Sequence, residues 1–195
     1  FFVWGCAWEG DAAEFAAVST AAIFWVLSLA VFQHRHFSVE QACASVAGIV
    51  YIGLAFSHLV LLRFFDDEVL VNSPAGPMQL GCAFVWLALI GTWASDTFAY
   101  FTGSCFGRTK LCEAISPKKT VEGFIGGVIG TTLAVMLVGW SFSFSVPMMA
   151  LLGVSIALVA TMGDLVESAV KRYTGIKDSG SLILGHGGVL DRFDS

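Results

Sequence analysis

The chain has 195 residues, of which 56% are hydrophobic and only 13% charged, and its formal net charge is −5. Its mean hydropathy is +0.79. Ordinary soluble domains carry about 25% charged residues, so this composition excludes a soluble globular protein and indicates an integral membrane protein.

Five apolar stretches are long enough to cross the hydrocarbon core of a bilayer, which takes about 20 residues of helix. Each must be helical, because lipid offers backbone amides and carbonyls no hydrogen-bond partner. We predict an all-α fold, a polytopic membrane helical bundle of about five transmembrane helices that forms one membrane-embedded domain over residues 1–195. The predicted spans are Ala12–Phe32, Ala42–Leu62, Leu80–Phe101, Val121–Phe142 and Val146–Met162.

The beginning of the chain and its cysteines add two expectations. Phe1 stands where a methionine would begin a protein, and FFVWGCAW is typical of the end of an earlier span, so we expect a fragment of a longer protein. The five cysteines form no C-x-x-C pair and are odd in number. They indicate neither a zinc site nor a disulfide framework.

Positive charge is concentrated on one side of the predicted bundle. If the spans alternate in direction, the segments after the first, third and fifth spans share one side and hold nine of the ten lysines and arginines. The positive-inside rule places that side in the cytoplasm. The polar segments Ser104–Thr120 and Asp164–Ser195 lie there, so we expect an active site that faces the cytoplasm, with a bacterial inner membrane as the expected location.

Asp96 lies inside the third span, in the stretch ASDTFAYFTG. On a helix, Asp96, Tyr100 and Gly103 share one face, because four and then three residues separate them. A charge within a span is tolerated when it faces a cavity or a partner. Asp96 is therefore either a site residue or a buried carboxylate that is hydrogen-bonded to a neighbouring helix.

The fourth span follows the polar segment SPKKT. Serine followed by proline is typical of a helix start, so we predict that Ser116 caps this helix and that Pro117 is its first residue. The free amides of that helix start, with Lys118 and Lys119, would form a phosphate-binding site. Alternatively, the two lysines only anchor the span at the membrane surface. The glycines of GFIGGVIG indicate close helix packing.

The fifth span continues without a break into MGDLVESAVKRYTGIKD. If the helix continues too, Asp164, Glu167 or Ser168, and Lys171 lie on one face. The carboxylate of Asp164 could then hold a cation while Lys171 meets a phosphate. The alternative is a solvated amphipathic extension.

The chain closes on LGHGGVLDRFDS, whose glycines let a ligand approach the backbone closely. Asp191 and Asp194 would share a face if a helix begins here, and such carboxylates suit Mg²⁺ that is shared with substrate phosphates. His186 is either a phosphate donor or a structural hydrogen-bonding group. The concentration of acids, bases and glycines on one membrane face indicates a phosphorylated, metal-bridged substrate.

The stretch SAVKRYTGIKDSGSLILGHGGVLDRFDS resembles the signature of the phosphatidate cytidylyltransferase family, also called CDP-diacylglycerol synthases. Two upstream segments, SDTFAYFTGSCFGRTKL and ISPKKTVEGFIGG, resemble further segments of that family in the same order. The resemblance covers residues 92–195, the expected catalytic portion. Leu184 replaces a usual proline and Ser104 a common basic residue. The family normally has further helices before and after the region that this chain covers.

The resemblance implies that CTP and phosphatidic acid are converted to CDP-diacylglycerol and pyrophosphate in a lipid bilayer. It implies Mg²⁺, alone or with a second cation, and no nucleic acid; a homodimer is compatible with it. The implied metal ligands are Asp164, Asp191 and Asp194, and the implied catalytic set is Asp164, Asp191, Lys171 and Lys177. The implied substrate-binding residues are Ser168, Arg172, His186, Gly187, Gly188, Arg192, Ser116, Lys118, Lys119 and Asp96.

Two other functions stay open at this point. A membrane kinase that uses CTP on a polyprenol or phytol could share the architecture, although the complete signature favours the cytidylyltransferase. A transporter would also place Asp96 and Asp164 in or near spans, but its polar groups should cluster near the bilayer midplane. The concentration of lysines and arginines on one side of the predicted bundle argues instead for polar groups at one membrane face.

Overall fold

The computed structural model describes residues 12–32, 38–66 and 68–174. Over these ranges the chain forms five helices and two hairpins of short strands. Helices α2 to α5 are long and apolar enough to cross a membrane, and α1 contributes the shorter apolar stretch Ala17–Phe32. The predicted polytopic helical membrane fold is confirmed. The elements are α1 Ala12–Phe32, α2 Val39–Arg63, β1 Leu70–Ser73, β2 Gly76–Gln79, α3 Leu80–Phe106, β3 Lys110–Cys112, β4 Ser116–Thr120, α4 Val121–Ser141 and α5 Val146–Thr174.

The contacts divide the chain into two compact units, and the first contains α1, α2 and the beginning of α3. Helix α2 begins with a capping box, in which Ser38 Oγ accepts from the Gln41 amide and Gln41 Oε1 accepts from the Ser38 amide. Such reciprocal bonds satisfy two amides that a helix start otherwise leaves without partners. Where α2 leads toward α3, the Phe65 and Phe84 rings pack with their centroids 5.9 Å apart.

The second unit contains the rest of α3, the β3–β4 hairpin, α4 and α5. Along helix α4, small residues are buried and large apolar residues are exposed. The buried face includes Gly123, Gly127, Gly130 and Gly139, whereas the exposed face carries Ile125, Ile129, Leu133, Leu137 and Trp140. This is the pattern expected of a helix that meets other helices through small residues and lipid through large ones.

Glycines let the helices of this unit approach closely. A Cβ on Gly127 would lie 3.2 Å from the Ala99 Cβ on α3. On α5, a Cβ on Gly153 would lie only 2.7 Å from the Thr132 Cα of α4. The repeated glycines of the fourth span therefore act in packing, as predicted.

The start of α4 differs from the sequence prediction. Ser116 and Pro117 do not begin the helix; they belong to β4, which pairs antiparallel with β3 in the register Lys110 opposite Thr120 and Cys112 opposite Ser116. Thr120 is the N-cap instead, with extended backbone and its Oγ1 accepting from the Gly123 amide at 3.1 Å. Hairpin pairing keeps Ser116 extended, so the capping role passes to the next hydroxyl along the chain.

Helix α5 continues past the predicted end at Met162 to Thr174, which confirms that the segment after the fifth predicted span is helical over its described residues. Its 29 residues correspond to about 43 Å at 1.5 Å per residue, against a hydrocarbon core of about 30 Å. Some of α5 must therefore lie outside the core. Asp164, Glu167 and Lys171 all fall in its last eleven residues.

Candidate functional site

A cavity of about 410 Å³ lies in the second unit, among the C-terminal half of α3, the β3–β4 hairpin, the start of α4 and α5. This volume is within the usual range for small-molecule sites. Its charged lining consists of Asp96, Lys118, Lys119 and Asp164, and its apolar lining includes Ala99, Leu111 and Phe124. Two acids, two bases and an apolar wall thus face the same space.

An ion pair in this cavity joins Lys119 and Asp164. The Lys119 Nζ is in direct contact with the Asp164 Oδ2, and both side chains are about three-quarters buried, with exposed fractions of 26% and 25%. The two residues are far apart in sequence, on β4 and α5. The other carboxylate oxygen, Oδ1, accepts from the Ser168 hydroxyl at 3.5 Å.

Asp96 reaches the cavity from α3. Tyr100 and Gly103 line the same cavity, so the shared face predicted for these three residues is confirmed. Gly123 allows α3 and α4 to come close at this point, because a Cβ on Gly123 would lie 3.1 Å from the Gly103 Cα. The close approach of α3 and α4 brings Asp96 into the cavity that Lys119 and Asp164 line.

The hairpin holds the two lysines in place through contacts on both sides of the α4 start. The Val121 amide donates to the Thr109 carbonyl at 2.9 Å. The Glu122 carboxylate accepts from the amides of Arg108 and Thr109, both at 3.1 Å. These bonds tie the segment before β3 to the helix start that follows β4, so Lys118 and Lys119 project from a backbone that is anchored at both ends.

Beyond Asp164, the polar side of α5 carries a second ion pair. Glu167 is only 4% exposed, and its Oε2 lies 2.7 Å from the Lys171 Nζ. One residue later, the Arg172 Nε donates to the Ile115 carbonyl of the β3–β4 turn at 3.4 Å. The end of α5 is therefore attached to the hairpin that carries the two cavity lysines.

The structure brings some of the predicted site residues together and leaves others apart. Asp96, Lys118, Lys119 and Asp164 line the cavity, and Ser168 is bonded to Asp164. Ser116 lies opposite Cys112 in the hairpin, while Lys171 and Arg172 contact Glu167 and Ile115. The roles assigned to all of these residues stay predictions. The following predicted site residues lie outside the described residues: Lys177, His186, Gly187, Gly188, Asp191, Arg192 and Asp194.

The described part of the site fits Mg²⁺ in the chemistry of its donors. Asp96 and Asp164 offer carboxylate oxygens on the wall of an open cavity, and Mg²⁺ is commonly bound by one or two carboxylates together with substrate phosphates and water. Among residues 12–32, 38–66 and 68–174, no three His, Cys, Asp or Glu side chains form a metal-binding cluster. Of the predicted set Asp164, Asp191 and Asp194, only Asp164 is described, so that set stays a prediction.

Sequence reasoning missed two features of this site. Thr120 lines the cavity and caps α4, and the signal for it is a hydroxyl residue directly before an apolar run with an acid two positions later. Phe124 and Leu111 form part of the apolar wall. Nothing in the sequence marks either residue as part of a cavity wall, because only the packing of the hairpin and the helices turns them toward the cavity.

Comparisons with known proteins point to one family. A sequence model of the cytidylyltransferase family matches residues 3–195. The chain is 33% identical over 189 residues to a phosphatidate cytidylyltransferase of Bacillus subtilis, which covers 96% of this chain and 66% of that protein. It is 36% identical over 174 residues to proteins of the same name from Staphylococcus saprophyticus and Staphylococcus haemolyticus, covering 88% of this chain and 61% of each relative. The chain thus spans less than two thirds of the length of these relatives.

Proposed function

Because the chain belongs to the cytidylyltransferase family, we propose that it takes part in transferring the cytidylyl group of CTP to phosphatidic acid, which gives CDP-diacylglycerol and pyrophosphate. The names of its relatives support this reaction. The observation that carries the proposal is the convergence of Asp96, Lys118, Lys119 and Asp164, from three separate elements, on one cavity.

The chemistry of the cavity suits two phosphorylated substrates of different character. An oxygen of the lipid phosphate attacks the α-phosphorus of CTP, the bond from that phosphorus to the oxygen leading to the β-phosphate breaks, and pyrophosphate leaves. No protein nucleophile is needed. The main obstacle is repulsion between two anions, which is lowered by positive groups that are already in position before the reaction.

Lys118 and Lys119 are well placed for that role. Both line the cavity, and the backbone that carries them is anchored at the start of α4. A fixed backbone limits the reorganisation needed when phosphates arrive, and holding the two reactants in line lowers the barrier further. The apolar wall around Phe124 and Leu111 would accommodate the first methylene groups of the lipid beside its charged headgroup.

Asp164 would hold Mg²⁺, together with the predicted ligands Asp191 and Asp194. When bound, Mg²⁺ supplies charge neutralisation and orientation of the triphosphate oxygens. Ser168 would keep the Asp164 carboxylate oriented through its bond to Oδ1. For the membrane setting, we propose an integral protein of a bacterial inner membrane whose cavity faces the cytoplasm; the positive charge of the hairpin and the end of α5 supports this orientation.

The reaction is tested by pyrophosphate release from CTP by the protein purified in detergent, with phosphatidic acid and Mg²⁺. Asp164→Asn is expected to lower the rate about a hundredfold, since losing a metal ligand removes about 2.7 kcal/mol of transition-state stabilisation. Asp66→Asn is the matched control: Asp66 follows α2 and has a φ of 49°, a conformation that asparagine tolerates well.

The product identifies the class of enzyme. Pyrophosphate that appears only with phosphatidic acid, and that is lost in Asp164→Asn but not in Asp66→Asn, supports the proposal. Release of CDP in place of pyrophosphate would instead indicate a CTP-dependent lipid kinase. Equal rates in wild type and Asp164→Asn would remove Asp164 from the site.

A further inference from the structure

We propose that Lys119 is a built-in counter-ion, which occupies the cation position at Asp164 until a divalent cation displaces it. The released ammonium group then becomes available to phosphate oxygens in the same cavity. The first step rests on the proposed role of Asp164 as a cation ligand and needs no substrate, whereas the second step also rests on the proposed reaction.

The first argument is the contact itself. The Lys119 Nζ touches Asp164 Oδ2, while Ser168 Oγ donates to Oδ1. Both oxygens of the carboxylate therefore already have a partner. A divalent cation that approached Oδ2 from the side of the ammonium group would need the place that this group holds, since two cations cannot share it. We therefore expect the two cations to compete for Asp164.

The second argument concerns what the ion pair does when no cation is bound. Asp164 is about three-quarters buried, and an ionised carboxylate removed from water is unfavourable without a compensating partner. A pair of this kind adds little net stability, because desolvation offsets most of the attraction. Its main effect is to hold the Asp164 carboxylate in one orientation, ready for a cation.

The third argument is that the Lys119 side chain is flexible while its backbone is held in place. Lys119 extends from β4 one residue before the Thr120 cap, so its backbone is held. Its flexible side chain ends in a compact ammonium group. Lys118, exposed and on the same cavity, marks a second positive position nearby. A displaced Lys119 side chain can therefore meet anionic oxygens without movement of the main chain.

The experiment measures Mn²⁺ binding by electron paramagnetic resonance on the purified protein, with neither nucleotide nor phosphatidic acid present. Lys119→Met should lower the Kd for Mn²⁺ by about three- to tenfold, the equivalent of losing a partly buried ion-pair competitor. Lys118→Met is the matched control, because it removes the same charge from the same cavity but no contact with Asp164. We expect it to change the Kd by less than about twofold. Lys119→Arg keeps the pair and should bind Mn²⁺ like wild type.

Several results would overturn the inference. Equal tightening in Lys119→Met and Lys118→Met would mean that only the general positive field matters. An unchanged or raised Kd in Lys119→Met would mean that Lys119 does not compete for the site, and so would the lack of saturable Mn²⁺ binding in every variant. If Lys119→Met does not fold, Lys119→Gln replaces it, because glutamine removes the charge while keeping a polar side chain.

The same variants separate this inference from the proposed reaction. If Lys119→Met binds Mn²⁺ more tightly but releases pyrophosphate more slowly, both steps are supported. If Mn²⁺ binding tightens while no form of the protein, wild type included, makes pyrophosphate, the proposed reaction is wrong and the counter-ion role stands. If wild type makes pyrophosphate and Mn²⁺ binding does not respond to Lys119, the counter-ion role is wrong and the reaction stands.

Discussion

Replacing Gly123 with alanine should force α3 and α4 apart beside the cavity. The new Cβ would lie 2.8 Å from the Ala99 carbonyl oxygen, 3.0 Å from Thr120 Oγ1 and 3.1 Å from the Gly103 Cα. The Ala99 and Gly103 atoms are backbone and cannot rotate away, so one helix must shift by several tenths of an ångström. Overpacking of this kind costs about 1–3 kcal/mol.

The assay is the apparent unfolding temperature in detergent, followed by intrinsic tryptophan fluorescence. For a chain of this size each kcal/mol corresponds to about 2–4 °C, so a loss of about 2 kcal/mol lowers the unfolding temperature by about 4–8 °C. Pyrophosphate release should fall as well, since Gly123 lines the cavity. The matched control is Gly48→Ala in α2, where a Cβ would meet nothing within 4 Å and alanine is the better helix former.

Comparing the two alanine variants tests whether α3 and α4 approach closely at Gly123. Gly123→Ala that unfolds within about 1 °C of wild type, and no lower than Gly48→Ala, would show that α3 and α4 do not approach as closely as described, because even 1 kcal/mol corresponds to about 2–4 °C.

Three further predictions concern single contacts in the second unit. Thr120→Val removes the cap of α4 and should lower stability by about 1 kcal/mol, measured as unfolding temperature; Thr120→Ser should retain it, and equal losses in both would argue against the cap. Lys171→Met leaves the buried Glu167 carboxylate without its ammonium partner and should cost about 3 kcal/mol, most of which the double variant with Glu167→Leu should recover; a double variant as unstable as the single one would contradict this. Glu122→Ala should speed deuterium exchange of the two amides just before β3, whereas unchanged exchange would show that the carboxylate does not hold them.

The positions of the membrane helices follow from the sequence with little ambiguity. Hydrophobic length alone predicts them, because a bilayer leaves an apolar segment no alternative to helix. The predicted and observed beginnings agree at Ala12, Leu80, Val121 and Val146. The ends agree less well, since α3 runs on to Phe106 and α5 to Thr174. These ends lie in polar sequence, where apolarity gives no signal and helix continuation depends on packing.

The start of α4 shows why local signals are not sufficient. Ser116 followed by Pro117 has the residue types of a helix start, and so does Thr120 before its apolar run. Propensity cannot decide between them, because both hydroxyls can cap. The choice depends on strand pairing between β3 and β4, which keeps residues 116–120 extended up to the cap.

The sequence by itself determined that this is a helical membrane protein, and its motifs pointed to the family. These properties depend on composition and on short runs of residues, which act locally or through the bilayer. Only the tertiary structure decided that Lys119 contacts Asp164 and that Asp96 shares their cavity. Such contacts join residues distant along the chain, and they form only where glycine-lined helices pack closely enough to bring three separate elements together.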